Sequence, residues 1–150
     1  MSAQANTKRP PTHMDQRRQV EASSPTAESK EMTARRLVAF GEAWSNANLE
    51  ELMKYIADDC VYSASVGPEP GETFRGREEV RMGFIRMLEH DQASESREGP
   101  VTVHGTHGTA EWSYVQTLPD GRKVEVRGCD LFEFRGDLIT KKDAFRKVIS

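Results

Sequence analysis

The sequence has few cysteines, no long apolar run and no hydrophobic stretch in its first residues. Its two cysteines, Cys60 and Cys129, stand in no metal or redox spacing. We therefore expect two reduced thiols, with a disulfide between them as the alternative, and neither a metal nor a cofactor. No segment approaches the roughly 20 apolar residues that cross a bilayer, so we expect no membrane association and a cytoplasmic location.

An excess of basic charge is also missing. The net charge is -3, and the 21 basic and 24 acidic residues are mixed along the chain. This distribution gives no basic patch that would bind nucleic acid or an anionic membrane. The expected partner is therefore a small molecule or another protein. At 150 residues the chain fits one domain, which buries about 70% of its unfolded surface and has room for a core with a cavity.

The first 32 residues differ in composition from the rest. They are rich in Ser, Thr, Pro, Gln and charged residues and poor in large apolar side chains. Such a segment cannot offset the entropy lost on folding, so we predict a disordered tail over 1–32 and a folded domain over 33–150. A docking arm for a partner is the functional alternative.

Helical spacing of apolar residues predicts three helices. The first follows a capping Thr33 and the second follows a capping Asn48 with Glu51 three residues later, while the third spans 76–91. Their predicted buried residues are, in chain order, Leu37, Phe40 and Trp44; Leu49, Leu52, Met53 and Ile56; and Val80, Phe84, Met87 and Leu88.

Strand patterns alternate with turn signals through the remaining segments. We predict a strand at 58–65, a loop at 66–74 and a polar linker at 92–98, and then four strands joined in a meander. The four strands are expected at 99–105, 109–117, 123–134 and 138–149. Helices first and hairpins afterwards indicate an α+β fold, with a curved antiparallel sheet wrapped around the three helices.

An aspartate interrupts the apolar face of one predicted strand. In VEVRGCDLFEF, residues 124–134, every second residue is apolar or glycine except Asp130. A hairpin turn at LPDGR sets Ala110 opposite Asp130 and Trp112 opposite Gly128. A buried carboxylate without a partner either needs a cation or is disfavoured in its charged form, so this residue requires an explanation.

The following hairpin is predicted to supply the cation. A three-residue RGD turn brings Lys142 opposite Asp130, whereas a two-residue turn brings Lys141 there instead. The same register decides whether Lys142 or Asp143 faces inward. The pair is either a structural ion pair that fixes strand alignment, or part of a site in which Asp130 is a proton donor, a base or a hydrogen-bond anchor.

Other side chains in the inward registers are predicted to line a pocket with Asp130. They lie on the first helix, the first strand and the sheet: Phe40, Trp44, Tyr62, Ala64, Trp112, Tyr114, Val126, Phe132 and Lys142. Each of them alone is typical of core packing. Together with Asp130 they form a mostly apolar pocket with one or two polar groups, which is the usual composition of a small-ligand site.

The element order, with IADDCVY, GPEPGETFRGREEV and GCDLFEFRGDLITKKDAFRK, resembles the nuclear transport factor 2-like (cystatin-like) superfamily over residues 33–148. The chain is most similar to its SnoaL-like and ketosteroid isomerase-like members. The resemblance implies a cone-shaped fold and a homodimer formed through the outer sheet face. If the protein is an enzyme, it implies a metal-free acid–base isomerase, cyclase or lyase type acting on a small hydrophobic carbonyl compound. Asp130 is then the acid/base or oxyanion donor, with Tyr62 or Tyr114 as auxiliary donors. A non-catalytic ligand-binding or dimeric interaction module, with Asp130 structural or a ligand anchor, is the alternative.

Ketosteroid isomerase residues are only partly present. The oxyanion aspartate of that enzyme falls on Asp130, but its tyrosine falls on Phe40 and its base on Ala64. In SnoaL-like cyclases a histidine lies near the pocket aspartate, and the nearest imidazoles here are His104 and His107. We interpret both as exposed residues at a strand end.

Overall fold

The computed structural model of the protein describes residues 30–68, 70–91 and 94–149, and in these residues it has three helices and six strands. The helices are α1 (Ala34–Ser45), α2 (Leu49–Met53) and α3 (Arg77–Asp91). The strands are β1 (Ile56–Ser63), β2 (Thr73–Arg75), β3 (Glu95–His104), β4 (His107–Thr117), β5 (Lys123–Arg135) and β6 (Leu138–Ile149). Residues 1–29 lie outside the described ones, so the tail stays a prediction. At its end Met32 is buried, and its amide donates to the carbonyl of Gly136.

The six strands form one curved sheet in the order β2-β1-β6-β5-β4-β3, with the helices packed on it. Every neighbouring pair is antiparallel except β1 and β6, which run parallel with Tyr62 beside Lys142. The predicted α+β cone is confirmed, and its sheet is mixed rather than wholly antiparallel. Strands β3 to β6 follow one another through tight hairpins, whereas β1 reaches β6 only through a long connection that contains α3.

The predicted caps begin the first two helices. The Thr33 hydroxyl and the Asn48 side-chain oxygen each accept a hydrogen bond from the amide three residues further on, at 3.1 and 3.2 Å. Helix α2 ends at Met53, and Ile56, which we predicted on its buried face, instead opens β1. Both positions are buried, so the apolar pattern did not distinguish the end of the helix from the start of the strand.

Two segments predicted as loop and linker contain paired strands. Strand β2 begins within the predicted loop 66–74, where Phe74 pairs with Tyr62 of β1. Strand β3 begins at Glu95, inside the predicted polar linker 92–98. Both are edge strands, which pair on one side and meet solvent on the other. They therefore need less apolar content than a central strand, and this makes them hard to detect by hydrophobic pattern.

One of the two predicted hairpin registers is correct. Strands β4 and β5 pair with Ala110 opposite Asp130, as predicted. In the next hairpin neither predicted partner lies opposite Asp130. That place belongs to Ala144, not to Lys142 or Lys141.

A short turn and a bulge explain the difference between β5 and β6. The turn has two residues rather than three, and Thr140 of β6 is an extra residue without a partner on β5. Continued from this turn without the bulge, the pairing would set Asp143 opposite Asp130, so our expectation of Lys141 for a two-residue turn was wrong. It would also point Lys142 away from the helices. The extra residue therefore turns Lys142, and not Asp143, toward the inside of the cone.

Both cysteines are free thiols, as expected. Cys60 is buried in β1, and Cys129 lies half-buried in β5. Burial raises the pKa of the Cys60 thiol to about 12, so this group stays protonated and unreactive at neutral pH. The helices among the described residues are all too short or too polar to span a bilayer.

Candidate functional site

A cavity of about 180 Å³ lies between α1, the end of α3 and the inner face of the sheet. Six of the predicted pocket residues supply aromatic side chains to its wall: Phe40, Trp44, Tyr62, Trp112, Tyr114 and Phe132. A protein cavity of about 150 Å³ holds a benzene molecule, so this cavity is large enough for a compact ligand of about one ring.

Asp130 and Lys142 form an ion pair at the wall of this cavity. Lys142 Nζ lies 3.3 Å from Asp130 Oδ2, and the two residues are 4% and 8% exposed. Because Lys142 is opposite Phe132, it reaches the carboxylate diagonally across the two strands. The indole of Trp112 donates to the other carboxylate oxygen at 3.1 Å. One oxygen of Asp130 therefore accepts a hydrogen bond from the Trp112 indole, and the other lies in an ion pair with Lys142.

Two aromatic rings complete the environment of the Lys142 ammonium. Its nitrogen lies 4.7 Å from the ring centroid of Trp44 and 4.7 Å from that of Tyr62. The face of an aromatic ring attracts a cation, and the attraction is stronger where water is excluded. One carboxylate and two rings thus compensate for the burial of this charge.

Tyr62 brings a hydroxyl group into the same region. The residue is 1% exposed and borders the cavity, and its hydroxyl makes no hydrogen bond to another described residue. Burial first, and then the charges of Asp130 and Asp91, raise the pKa of Tyr62 well above its usual value. The hydroxyl therefore keeps its proton at neutral pH and is available as a donor to a ligand.

Asp91, a second carboxylate on the wall, was missed in the sequence. It is the last residue of α3, and its Oδ2 accepts from the Trp44 indole at 3.1 Å. A signal was present: Val80, Phe84 and Met87 are spaced by four and three residues, and the next step of four along this face reaches Asp91. The helical period therefore places Asp91 on the inner face of α3, just as the strand period places Asp130 on the inner face of β5.

The remaining predicted residues lie elsewhere. Ala64 and Val126 are buried in the core and do not border the cavity. His104 and His107 face each other across the β3–β4 hairpin and are exposed, as interpreted. Among the described residues no three His, Cys, Asp or Glu side chains are arranged to hold a metal ion.

Gly128 allows the Trp112 indole to reach Asp130. A Cβ atom added at Gly128 would overlap the indole ring and the main-chain carbonyl of Phe145. We expect Gly128→Ala to move the indole away from Asp130 and to lower the free energy of unfolding by about 1–3 kcal/mol. The Trp112 indole N–H resonance and a urea titration measure the two effects. An unmoved resonance in a protein of unchanged stability would contradict this role.

Comparisons with known proteins agree with this architecture. A family model described as the SnoaL-like domain matches residues 34–142. The chain belongs to the SnoaL-like domain family. The match runs from the start of α1 to Lys142 itself, and so contains both members of the ion pair. A search of curated protein sequences finds no match to this SnoaL-like chain.

Solved structures share the fold at low identity. A nuclear transport factor 2-like protein of unknown function from Cytophaga hutchinsonii has 13% identity and a TM-score of 0.65, over 76% of this chain and 98% of that one. A protein of ketosteroid isomerase-like fold from Catenulispora acidiphila, in complex with trimethylamine, has 24% identity and a TM-score of 0.60. The match covers 76% of this chain and 86% of that one. The epoxide hydrolase/cyclase-like enzyme SalBIII, from pyran ring formation in salinomycin, has 13% identity and a TM-score of 0.61, over 75% of this chain and 88% of that one. These similarities confirm the predicted fold and do not by themselves assign a reaction.

Proposed function

We propose that this SnoaL-like protein binds a compact, mostly apolar carbonyl compound in its cavity and isomerises or cyclises it by acid–base catalysis. The observation that carries the proposal is the buried pair of Lys142 and Asp130 on a wall that is otherwise mainly aromatic. Polar groups fixed in a site from which water is largely excluded act strongly on charge that develops in a ligand. The size of the cavity supports a ligand of about one ring.

Within this proposal, Lys142 and Tyr62 donate to the carbonyl oxygen. Both border the cavity, and the ammonium lies close to the Tyr62 ring. Removal of a proton next to a carbonyl group develops negative charge on its oxygen, which two such donors stabilise. Tyr114 supplies a second hydroxyl from β4, where its ring stacks on that of Trp112 at 5.9 Å between ring centroids.

Asp130 has a narrower role in the proposal than the resemblance implies. An oxyanion donor must offer a proton, whereas Oδ1 of Asp130 accepts from the Trp112 indole and Oδ2 is paired with the Lys142 ammonium. We therefore assign it the part of a base and of the counter-charge that positions Lys142. The same observation favours a second candidate, a non-catalytic binding protein in which Asp130 holds Lys142 in place as a ligand anchor.

A homodimer formed through the outer sheet face is the second part of the proposal. Leu131 and Phe145 are 45% and 51% exposed, and both lie on the face of β5 and β6 that points away from the helices. Exposed apolar side chains on one sheet face are typical of a surface that associates with another protein. No nucleic acid and no membrane take part in the proposal, and the cytoplasmic location stays a prediction.

Native mass spectrometry of the purified protein tests the ligand and the dimer together. We expect a dimer that carries a small molecule, which denaturing extraction then identifies. A retained compound with a carbonyl group supports the enzyme, and a monomer contradicts the assembly. If the compound has no hydrogen-bond acceptor, the roles of Lys142 and Tyr62 are wrong.

Tyr62→Phe tests the proposed donor. We expect the variant to bind cyclohexanone, a one-ring ketone, about tenfold more weakly, which corresponds to about 1.4 kcal/mol for one lost hydrogen bond. Methylenecyclohexane, which lacks the oxygen, should bind both proteins equally. Calorimetry measures all four affinities.

Tyr55→Phe is the matched control, because Tyr55 is buried but does not border the cavity. It removes the same atom from the core and should leave ketone binding unchanged. If Tyr62→Phe binds the ketone as tightly as the parent, the hydroxyl is not a ligand donor. For a compound that is turned over, a loss in kcat without a change in KM identifies catalysis, and equal losses in affinity and rate identify an anchor.

A further inference from the structure

Both tryptophans of the chain donate to a carboxylate on the cavity wall. The Trp112 indole donates to Asp130 and the Trp44 indole donates to Asp91, each at 3.1 Å. An indole N–H is a donor only, so each pair fixes the direction in which its carboxylate faces. The cavity lining therefore contains two carboxylates that are each oriented by an indole.

The two carboxylates differ in their counter-charges. Asp130 is paired with Lys142, which is enclosed by two rings and has no second acidic partner among the described residues. Asp91 has no Lys or Arg within salt-bridge distance in the described part of the chain. Its one ionisable neighbour there is His90 at 3.2 Å, an imidazole that carries charge only when protonated. One negative charge thus remains without a permanent cation.

The other charged residues that line the cavity also carry a net negative charge. They are Glu98, Glu111 and Arg97, so one further negative charge is in excess there. Ser45 donates to Glu98 at 3.1 Å and leaves its charge uncompensated. With Asp91, the lining has a surplus of two negative charges once Asp130 and Lys142 are paired.

The Tyr62 hydroxyl is a neutral polar group in the same region. The residue is 1% exposed and borders the cavity, and its hydroxyl makes no hydrogen bond to another described residue. A hydroxyl group enclosed by protein is normally hydrogen-bonded, so an acceptor from a bound molecule or from water fits beside it. Asp130 and Asp91 line the same cavity, so the two carboxylates border one binding volume.

We propose that Asp91 makes the cavity selective for a ligand that carries a cationic nitrogen, an ammonium group on a compact apolar body. The inference deepens the proposed function and rests on it, because it describes the ligand of the same cavity. The ammonium group pairs with Asp91 beside the Trp44 indole, and the apolar body packs against rings such as Phe40 and Phe132. The aromatic faces favour a cation in addition to the carboxylate.

The same arrangement disfavours an anionic ligand. The charge of Lys142 is already neutralised by Asp130. An added carboxylate would meet Asp91, Asp130 and Glu98, with Arg97 as the one other cation on the lining, and like charges in a partly dry site repel strongly. A neutral ligand would make no ion pair with Asp91, whose side chain is 32% exposed.

Three ligands of one shape and different charge test the proposal: cyclohexylammonium, cyclohexanol and cyclohexanecarboxylate. Binding is followed through the two indole N–H resonances of the ¹⁵N-labelled chain, which Trp112→Phe assigns. We expect cyclohexylammonium to bind at least about tenfold more tightly than cyclohexanol, and cyclohexanecarboxylate more weakly than both. The Trp44 resonance should move more than the Trp112 resonance.

Asp91→Asn should reduce the preference for the cation to about twofold or less and leave the affinity for cyclohexanol within about twofold. Asp59→Asn, which removes the same charge from an exposed residue paired with Arg135, should leave the preference intact. The inference is overturned if the carboxylate binds as tightly as the ammonium, or if Asp91→Asn keeps the full preference. If none of the three compounds and no ketone shifts either indole at about 10 mM, the proposed function itself fails.

Discussion

Asp130→Asn is expected to lower the melting temperature by about 10–20 °C, the largest effect of a single substitution in the site. The change removes the counter-charge of Lys142 and leaves a buried ammonium with two aromatic rings as its remaining partners. Breaking a buried pair from one side costs about 3–5 kcal/mol, because the uncompensated charge stays in the interior. Calorimetry of the parent and the variant measures the shift.

A double variant separates the effect of the two charges of the ion pair from the effect of side-chain packing. Asp130→Leu combined with Lys142→Met removes both charges and keeps apolar side chains of similar size, so we expect it to regain most of the lost stability. The two single changes should therefore be strongly non-additive. If Asp130→Asn has the same melting temperature as the parent protein, the ion pair does not stabilise the fold. The two residues then serve ligand binding instead.

Phe84→Ala is expected to cost about 3–5 kcal/mol of unfolding free energy. Phe84 is 0% exposed, and its ring lies 5.1 Å from that of Trp44 and 5.0 Å from that of Tyr62, both in edge-to-face geometry. Its removal leaves a void behind the two rings that contact Lys142, so ligand affinity should fall together with stability. A urea titration and ketone binding measure the two losses.

Met82→Ala is the matched control on the same helix. Met82 is 53% exposed, so its truncation removes little buried surface and should change stability by less than about 0.5 kcal/mol. A cost for Phe84→Ala no greater than that of Met82→Ala would mean that the void collapses or fills. In that event the rings around Lys142 do not depend on Phe84 for their positions.

Local patterns predicted the parts of the fold that depend on short-range geometry. The alternation around Asp130 and the LPDGR turn were sufficient to place Ala110 opposite it, because a hairpin fixes register over the few residues of its turn. The capping residues Thr33 and Asn48 likewise fixed two helix starts. Edge strand β2 and the first residues of β3, 95–98, were not predicted as strand, since a strand with one free side does not need an apolar face.

The partner of Asp130 was predicted correctly for a reason that was partly wrong. Lys142 does contact Asp130, but diagonally, after a two-residue turn and a bulge at Thr140. A bulge is one extra residue that packing on the inner face selects, and no local signal in LITKKDAFRK distinguishes Thr140 from its neighbours. Only the assembled sheet shows that Ala144 lies opposite the carboxylate.

The sequence by itself determined that one carboxylate lies in the inner register of a strand. Its helical period also reaches Asp91 on the face of Val80 and Phe84, although we did not predict that residue. These facts follow from the periods of two and 3.6 residues, which are properties of the backbone. Only the tertiary structure decided which carboxylate is neutralised. Trp44 and Asp91 are 47 residues apart, and Lys142 reaches Trp44 from the last strand. Such contacts depend on how the helices lie across the sheet, because side chains distant in sequence meet only when the whole core packs.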